Sequence, residues 1–213
     1  LTNGAQVVDL EKNEIIDSCR IPVALAEKIM MMARTSLDEI MHDVYIGGIG
    51  YTMPEFYNDI YKYVSSEGLA ELVRRTRDSV PDNIAYLKER GQDAEKINMF
   101  FCDMDARKRM REERSKIPGI LVSSSIPNNL EINAEGADKG GALIRLAARL
   151  GIDREATMSF GDGENDLSMI RMAGIGVAME NGEESVKAAA DYITKTNNEA
   201  GVAKAICHFT GIE

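Results

Sequence analysis

The chain has 213 residues, 44% of them hydrophobic and 28% charged, with a formal net charge of -10. That balance describes a globular protein able to bury one or two cores, and the acidic excess argues against nucleic acid or an anionic membrane as a partner, because phosphates attract clustered Lys and Arg. With 2 histidines and 3 cysteines (Cys19, Cys102 and Cys207, at no CxxC spacing), a disulfide framework, a zinc knuckle and a Ser-His-Asp arrangement all lack material, so chemistry falls to carboxylates, lysine and a hard metal.

In chain order, "TNGA" (Thr2 to Ala5) reads as a strand end running into a turn, since Asn-Gly is a strong turn signal. The apolar runs "AQVVDL" and "EIIDSCRI" around the polar "EKNE" predict a hairpin within residues 5–21. "PVALAEKIMMMARTS" sets Val23, Ala26, Ile29, Met30 and Ala33 at helical spacing behind Pro22, with the methionines as core filler. "DVYIGGIGYTM" is strand-like, its glycine-rich Gly47 to Thr52 stretch a bend or turn rather than a dinucleotide fingerprint. Helical segments interrupted at Gly68 and Pro81 follow, then the strand "INMFFCDMD", the charged helix "ARKRMREERSK", and two apolar runs, "GILVSSSI" and "LEINAEG". Together these make an α+β unit.

From about residue 136 the texture changes: helix "KGGALIRLAARLGI", strand "ATMSF", loop and helix "GDGENDLSMIRMAG", strand "IGVAM", helix "EESVKAAA", strand "DYIT", helix "NEAGVAKAICHF". Alternating strands and helices predict an α/β fold, a doubly wound parallel (Rossmann-like) sheet. No run approaches the roughly 20 apolar residues of a membrane span, and the first residues lack a signal peptide, so the expected location is cytoplasmic.

Ligands of an open parallel sheet bind beyond the carboxyl ends of its strands. "SFGDGENDLSMI" places Asp162, Glu164, Asn165 and Asp166 at such an end. Acids this close repel one another unless a cation lies between them, and Mg²⁺ takes a few carboxylates plus water and phosphate oxygens. Asp162 fits a metal ligand; Asp166 fits either a ligand, direct or through water, or a helix cap; Glu164 fits a solvated loop. In "GADKGGALIRLAARL", Leu143, Leu146, Ala147 and Leu150 share one face, which leaves Lys139 at the first turn. A lysine there opposes the helix dipole, and it becomes sensible if an anion sits beside it, cradled by the amides of Gly140 and Gly141.

The stretch "LEINAEGADKGGALIRLAARLGI", followed by "MSFGDGENDLSMIRMAGIGVAMENGEESVKAAADYIT", closely resembles the C-terminal part of the Cof-type phosphatases of the haloacid dehalogenase-like hydrolase superfamily. Lys139 matches that superfamily's third motif, the GDxxND element its fourth, and "TNGA" is similar to the turn before its inserted cap domain. The resemblance implies a core at 1–16 and 123–213 with an α+β cap at 17–122. It further implies Mg²⁺-dependent hydrolysis of small phosphomonoesters through an aspartyl-phosphate. Asp162 and Asp166 would hold Mg²⁺, Lys139 would be catalytic, and Lys139, Gly140 and Asn165 would meet phosphate. The nucleophile motif, a DxD strand, would precede "TNGA", so these 213 residues are expected to lack it. Asp103 and Asp105 in "FFCDMDAR" imitate that motif but fall within the cap and lead into a charged helix. The alternative expectation is a non-catalytic protein that binds a phosphorylated ligand; a phosphomutase is a third.

Overall fold

The computed structural model describes residues 1–64 and 66–212. They form two compact units, one built from residues 1–5 and 19–136, the other from 6–18 and 137–213. Thr2–Gly4 is a single 3-10 turn in which Thr2, Asn3 and Gly4 all take positive φ, the conformation that Asn and Gly tolerate best. The expected hairpin follows as antiparallel β1 (Gln6–Asp9) and β2 (Glu14–Ser18).

In the first unit, α1 (Val23–Arg34) buries Ala26, Ile29, Met30 and Ala33, the stripe that its sequence spacing predicts. β3 (Ile40–Ile46) and β4 (Ile49–Thr52) are joined at Gly47 and Gly48, whose φ angles of 64° and 82° give the tight hairpin turn that the glycine-rich stretch encodes. The Glu95 carboxylate accepts both turn amides, Gly47 at 2.9 Å and Gly48 at 2.8 Å. α2 (Pro54–Asn58), α3 (Glu67–Thr76), β5 (Arg77–Ser79), α4 (Asn83–Arg90), β6 (Lys96–Phe101), α5 (Met104–Arg114), β7 (Ile120–Ser123) and β8 (Asn129–Ala134) complete the unit. Asp103, after the apolar strand, caps α5 by accepting from the Asp105 amide at 2.8 Å, which gives this acid pair a structural role in the first unit.

The six strands run in the order β5-β4-β3-β6-β8-β7. β7 and β8 therefore belong to the insert's sheet, with β8 paired to β6 and β7 to β8. The expected boundary at 122/123 is corrected to 136/137 for that reason, and the opening boundary splits: residues 1–5 join the first unit, while the hairpin through Ser18 joins the second. In the second unit, α6 (Lys139–Leu150), β9 (Met158–Gly161), α7 (Leu167–Met172), β10 (Ile175–Ala178), α8 (Glu184–Ala189), β11 (Tyr192–Ile193) and α9 (Gly201–Thr210) alternate around a parallel sheet ordered β11-β10-β9. This is the predicted α/β pattern, with Ile170, Ala178 and Val186 at its core. Among the described residues no helix is long and apolar enough to cross a membrane.

Strand register gives the six-stranded sheet two unlike faces. One carries Ile40, Val44, Ile97, Met99, Leu130 and Ile132, all buried, together with His42. The other carries Asp43, Tyr45, Lys96, Asn98, Glu131 and Asn133, also buried. Its charges are paired, Arg77 Nε to Asp43 at 2.9 Å and Lys96 Nζ to Glu131 at 2.7 Å, and both cations lie over the Tyr45 ring. Burial pushes the Asp43 carboxyl pKa up against the pull of Arg77. Arg77→Ala, which leaves that carboxylate buried alone, is expected to lower unfolding free energy at neutral pH by about 3–5 kcal/mol in a urea titration, with part regained in mild acid as Asp43 takes a proton.

Burial lowers the pKa of His42 from 6.5 to about 4, so the folded unit holds the imidazole neutral. The unfolded chain binds the extra proton below 6.5, hence stability is complete above that pH and declines as pH falls toward 4. Chemical unfolding across this range should show an acid limb of up to about 3 kcal/mol that His42→Leu flattens. An unchanged acid limb in the variant would exclude His42 as its source.

Candidate active site

β9 ends at Gly161, and Asp162 is the first residue beyond it, at the carboxyl edge of the parallel sheet where ligands bind. The chain then makes one 3-10 turn, Glu164–Asp166, and runs directly into α7. Asp166 is 5% exposed and turns back under the strand end. Its Oδ2 accepts the amides of Asp162 at 2.9 Å and Gly163 at 3.2 Å, and its Oδ1 accepts Lys139 Nζ at 2.5 Å. Gly161 makes this possible, since a Cβ there would lie 2.4 Å from that of Asp166.

Lys139 is the first residue of α6, which Asp138 caps by accepting from Gly141 at 2.8 Å. The first turn of α6 touches that of α7 through Gly140, where a Cβ would lie 2.5 Å from the Ser168 carbonyl carbon. The Gly140 amide donates to Ser168 Oγ at 3.0 Å. The expected anion cradle is corrected accordingly: the amides of Gly140 and Gly141 are both occupied by side-chain oxygens, and Gly140 serves helix packing. What the two helices bring together is Lys139 and the turn at 162–166, with Lys139 and Asp166 27 residues apart in sequence and joined at one edge. Asn165 is half-buried in the same turn, and a Cβ at Gly163 would lie 3.3 Å from its Oδ1.

Asp162 differs from Asp166. It is exposed, and its carboxylate has one hydrogen-bond partner among the described residues, the side-chain amide of Asn181 at 3.4 Å. Among those residues no three His, Cys, Asp or Glu side chains converge as a closed metal site. A hard cation that keeps waters and takes one or two carboxylates plus substrate oxygens fits a single open carboxylate of this kind. Asp166, with both oxygens engaged, fits better as the group that orders Lys139 and the turn. Sequence reasoning missed Ser168 and Asn181; "MENGEE" signals a turn at Asn181 but not the reach of its side chain.

The fold of this chain matches that of solved haloacid dehalogenase-like hydrolases. One from Bacillus subtilis superposes with a TM-score of 0.83 at 27% identity, over 97% of this chain and 77% of its own. A subclass IIB sugar phosphatase of that superfamily matches with a TM-score of 0.73 at 26% identity, over 99% of this chain and 74% of its own. The chain belongs to the haloacid dehalogenase-like hydrolase family, which it matches over residues 1–206. Among curated relatives, the 5-amino-6-(5-phospho-D-ribitylamino)uracil phosphatase YcsE of Bacillus subtilis is 47% identical over 107 residues, 50% of this chain and 43% of that protein. The phosphatase YwpJ of the same organism is 48% identical over 89 residues, 42% of this chain and 31% of that protein. The aligned stretch thus spans less than half the length of either relative.

Gly161→Ala is expected to push Asp166 off its three donors and so loosen Lys139. Two-dimensional NMR of the amides of 161–168 should shift together with the Lys139 side-chain resonances. Shifts confined to residue 161 and its neighbours would show that Asp166 does not depend on the missing Cβ.

Proposed function

We propose that the intact protein hydrolyses phosphomonoesters of small polyhydroxylated metabolites, with Mg²⁺ as cofactor and an aspartyl-phosphate as intermediate. The observation that carries this reading is the Lys139–Asp166 pair beside the open carboxylate of Asp162, at the carboxyl edge of a parallel sheet. One structural neighbour is named a sugar phosphatase and one relative a 5-amino-6-(5-phospho-D-ribitylamino)uracil phosphatase, which supports sugar and polyol phosphates as the class to test.

The roles follow from charge. Phosphoryl transfer asks a protein mostly for positioning and neutralisation. The Lys139 ammonium, oriented by Asp166, meets the phosphoryl oxygens. Asn165 is the neutral donor to the same group, and Asp162 is the side chain that would hold Mg²⁺. Bound there, the ion would neutralise phosphate charge. The proposed route also needs an aspartate that attacks phosphorus and an acid that shuttles the proton, and neither role is given to a side chain among the described residues of this edge.

The test is release of inorganic phosphate by the intact protein from a panel of sugar, polyol and nucleotide monophosphates, with and without Mg²⁺. Metal-dependent release is expected, and none from any substrate would overturn the proposal. Asp162→Asn should raise the Mg²⁺ concentration needed for half-maximal rate and regain part of the rate at high Mg²⁺. Lys139→Ala should lose about 10²-fold to 10³-fold in rate with no rescue by metal.

A further inference from the structure

We propose that Asn181 is a positioning residue that fixes the carboxylate of Asp162 for metal. The inference rests on the reading of Asp162 as the metal ligand. Asn181 sits in the loop after β10, and its side chain joins the loops that follow all three parallel strands. Its Nδ2 donates to Asp162 Oδ2 at 3.4 Å beyond β9, and its Oδ1 accepts the Asn197 amide at 3.0 Å beyond β11. The same loop abuts the Asp162 backbone: the Glu183 amide donates to the Asp162 carbonyl at 2.9 Å, and a Cβ at Gly182 would lie 3.0 Å from Asp162 Cα.

The chemistry of the side chain matters as much as its place. An ammonium in this position would compete with a cation for Asp162, and a second carboxylate would repel it. A carboxamide does neither. It occupies Oδ2 with a neutral donor and leaves Oδ1 to a metal, while its own orientation is set by the Asn197 amide. Partners that orient a metal-binding carboxylate typically change metal affinity by about 10-fold to 100-fold when removed.

The test compares Mn²⁺ binding, followed by the electron paramagnetic resonance of free Mn²⁺, with melting of the metal-free form, in the intact protein. Asp162→Ala is the control: binding that survives it sinks the metal-ligand reading itself. With that control weakened, Asn181→Ala is expected to raise the Mn²⁺ dissociation constant by about 10-fold or more while metal-free melting stays within about 3 °C of wild type. Unchanged Mn²⁺ affinity would overturn the inference and leave the metal-ligand reading standing. Affinity lost only with a large fall in melting would also overturn it, as the mark of a merely structural contact.

Asn197→Pro supplies an independent variant that keeps Asn181 and removes only the amide that orients it. Asn197 is the first residue of a 3-10 turn, and Thr196 before it has φ -63° and ψ 161°, the backbone that proline asks of its predecessor. A smaller loss of Mn²⁺ affinity than in Asn181→Ala is expected, and no loss would count against the proposal.

Discussion

The carboxylate of Asp166 accepts the ammonium of Lys139 and two amides of the turn that it ends, so one buried charge ties a helix start to a strand end. Each partner needs the others. A carboxylate at 5% exposure is costly without a counter-charge, and a lysine at a helix N-terminus is unfavourable without an anion. The pairing resolves both, and it does so through charge-assisted hydrogen bonds that gain strength away from water. Everything else at this edge is arranged around that bond: Gly161 gives it room, and Gly140 and Ser168 bring α6 and α7 within reach.

The two units solve the problem of polar groups in different ways. In the second, charge is concentrated at one end of a short apolar sheet. In the first, opposite charges alternate across strands on a single sheet face, Arg77 with Asp43 and Lys96 with Glu131, while the other face is hydrocarbon apart from His42. Buried ion pairs add little net stability over a well-packed apolar face, because desolvation offsets attraction. What they impose is register: a β3 or β8 strand that slipped by one residue would place Asp43 or Glu131 on the face of Ile97 and Met99 of the neighbouring β6.

Much of this was legible in the residues. Periodicity gave α1 and its buried stripe, and Asn-Gly and Gly-Gly marked turns at residues 3–4 and 47–48. Alternation of strands and helices after residue 136 gave the parallel unit, and the acidic loop with Lys139 gave the site's main charges. The resemblance supplied the family. The parts that failed are those decided by distance through space. Backbone amides at Gly140 and Gly141 look available in sequence, yet Ser168 and Asp138 take them once the helices pack. The 122/123 boundary failed because an apolar run does not announce which sheet it will join, and β8 found its partner in β6. Asn181 was invisible as more than a turn, since its two contacts lie 19 and 16 residues away.

Neither unit is a continuous stretch of chain: residues 6–18 separate two parts of the first, and residues 19–136 lie between two parts of the second. During synthesis, which proceeds at about 5–20 residues per second and lets units fold as they emerge, the first unit has all of its chain well before the second does. The β1–β2 hairpin is translated before the intervening unit, and α6, whose Arg145 pairs with Asp17 at 2.7 Å, after it. A lone two-stranded hairpin is marginal in water. On the ribosome the hairpin therefore waits on the order of ten seconds for α6. The discontinuity thus creates a period of dependence on whatever shields nascent chains, and the length of that period is set by the size of the insert.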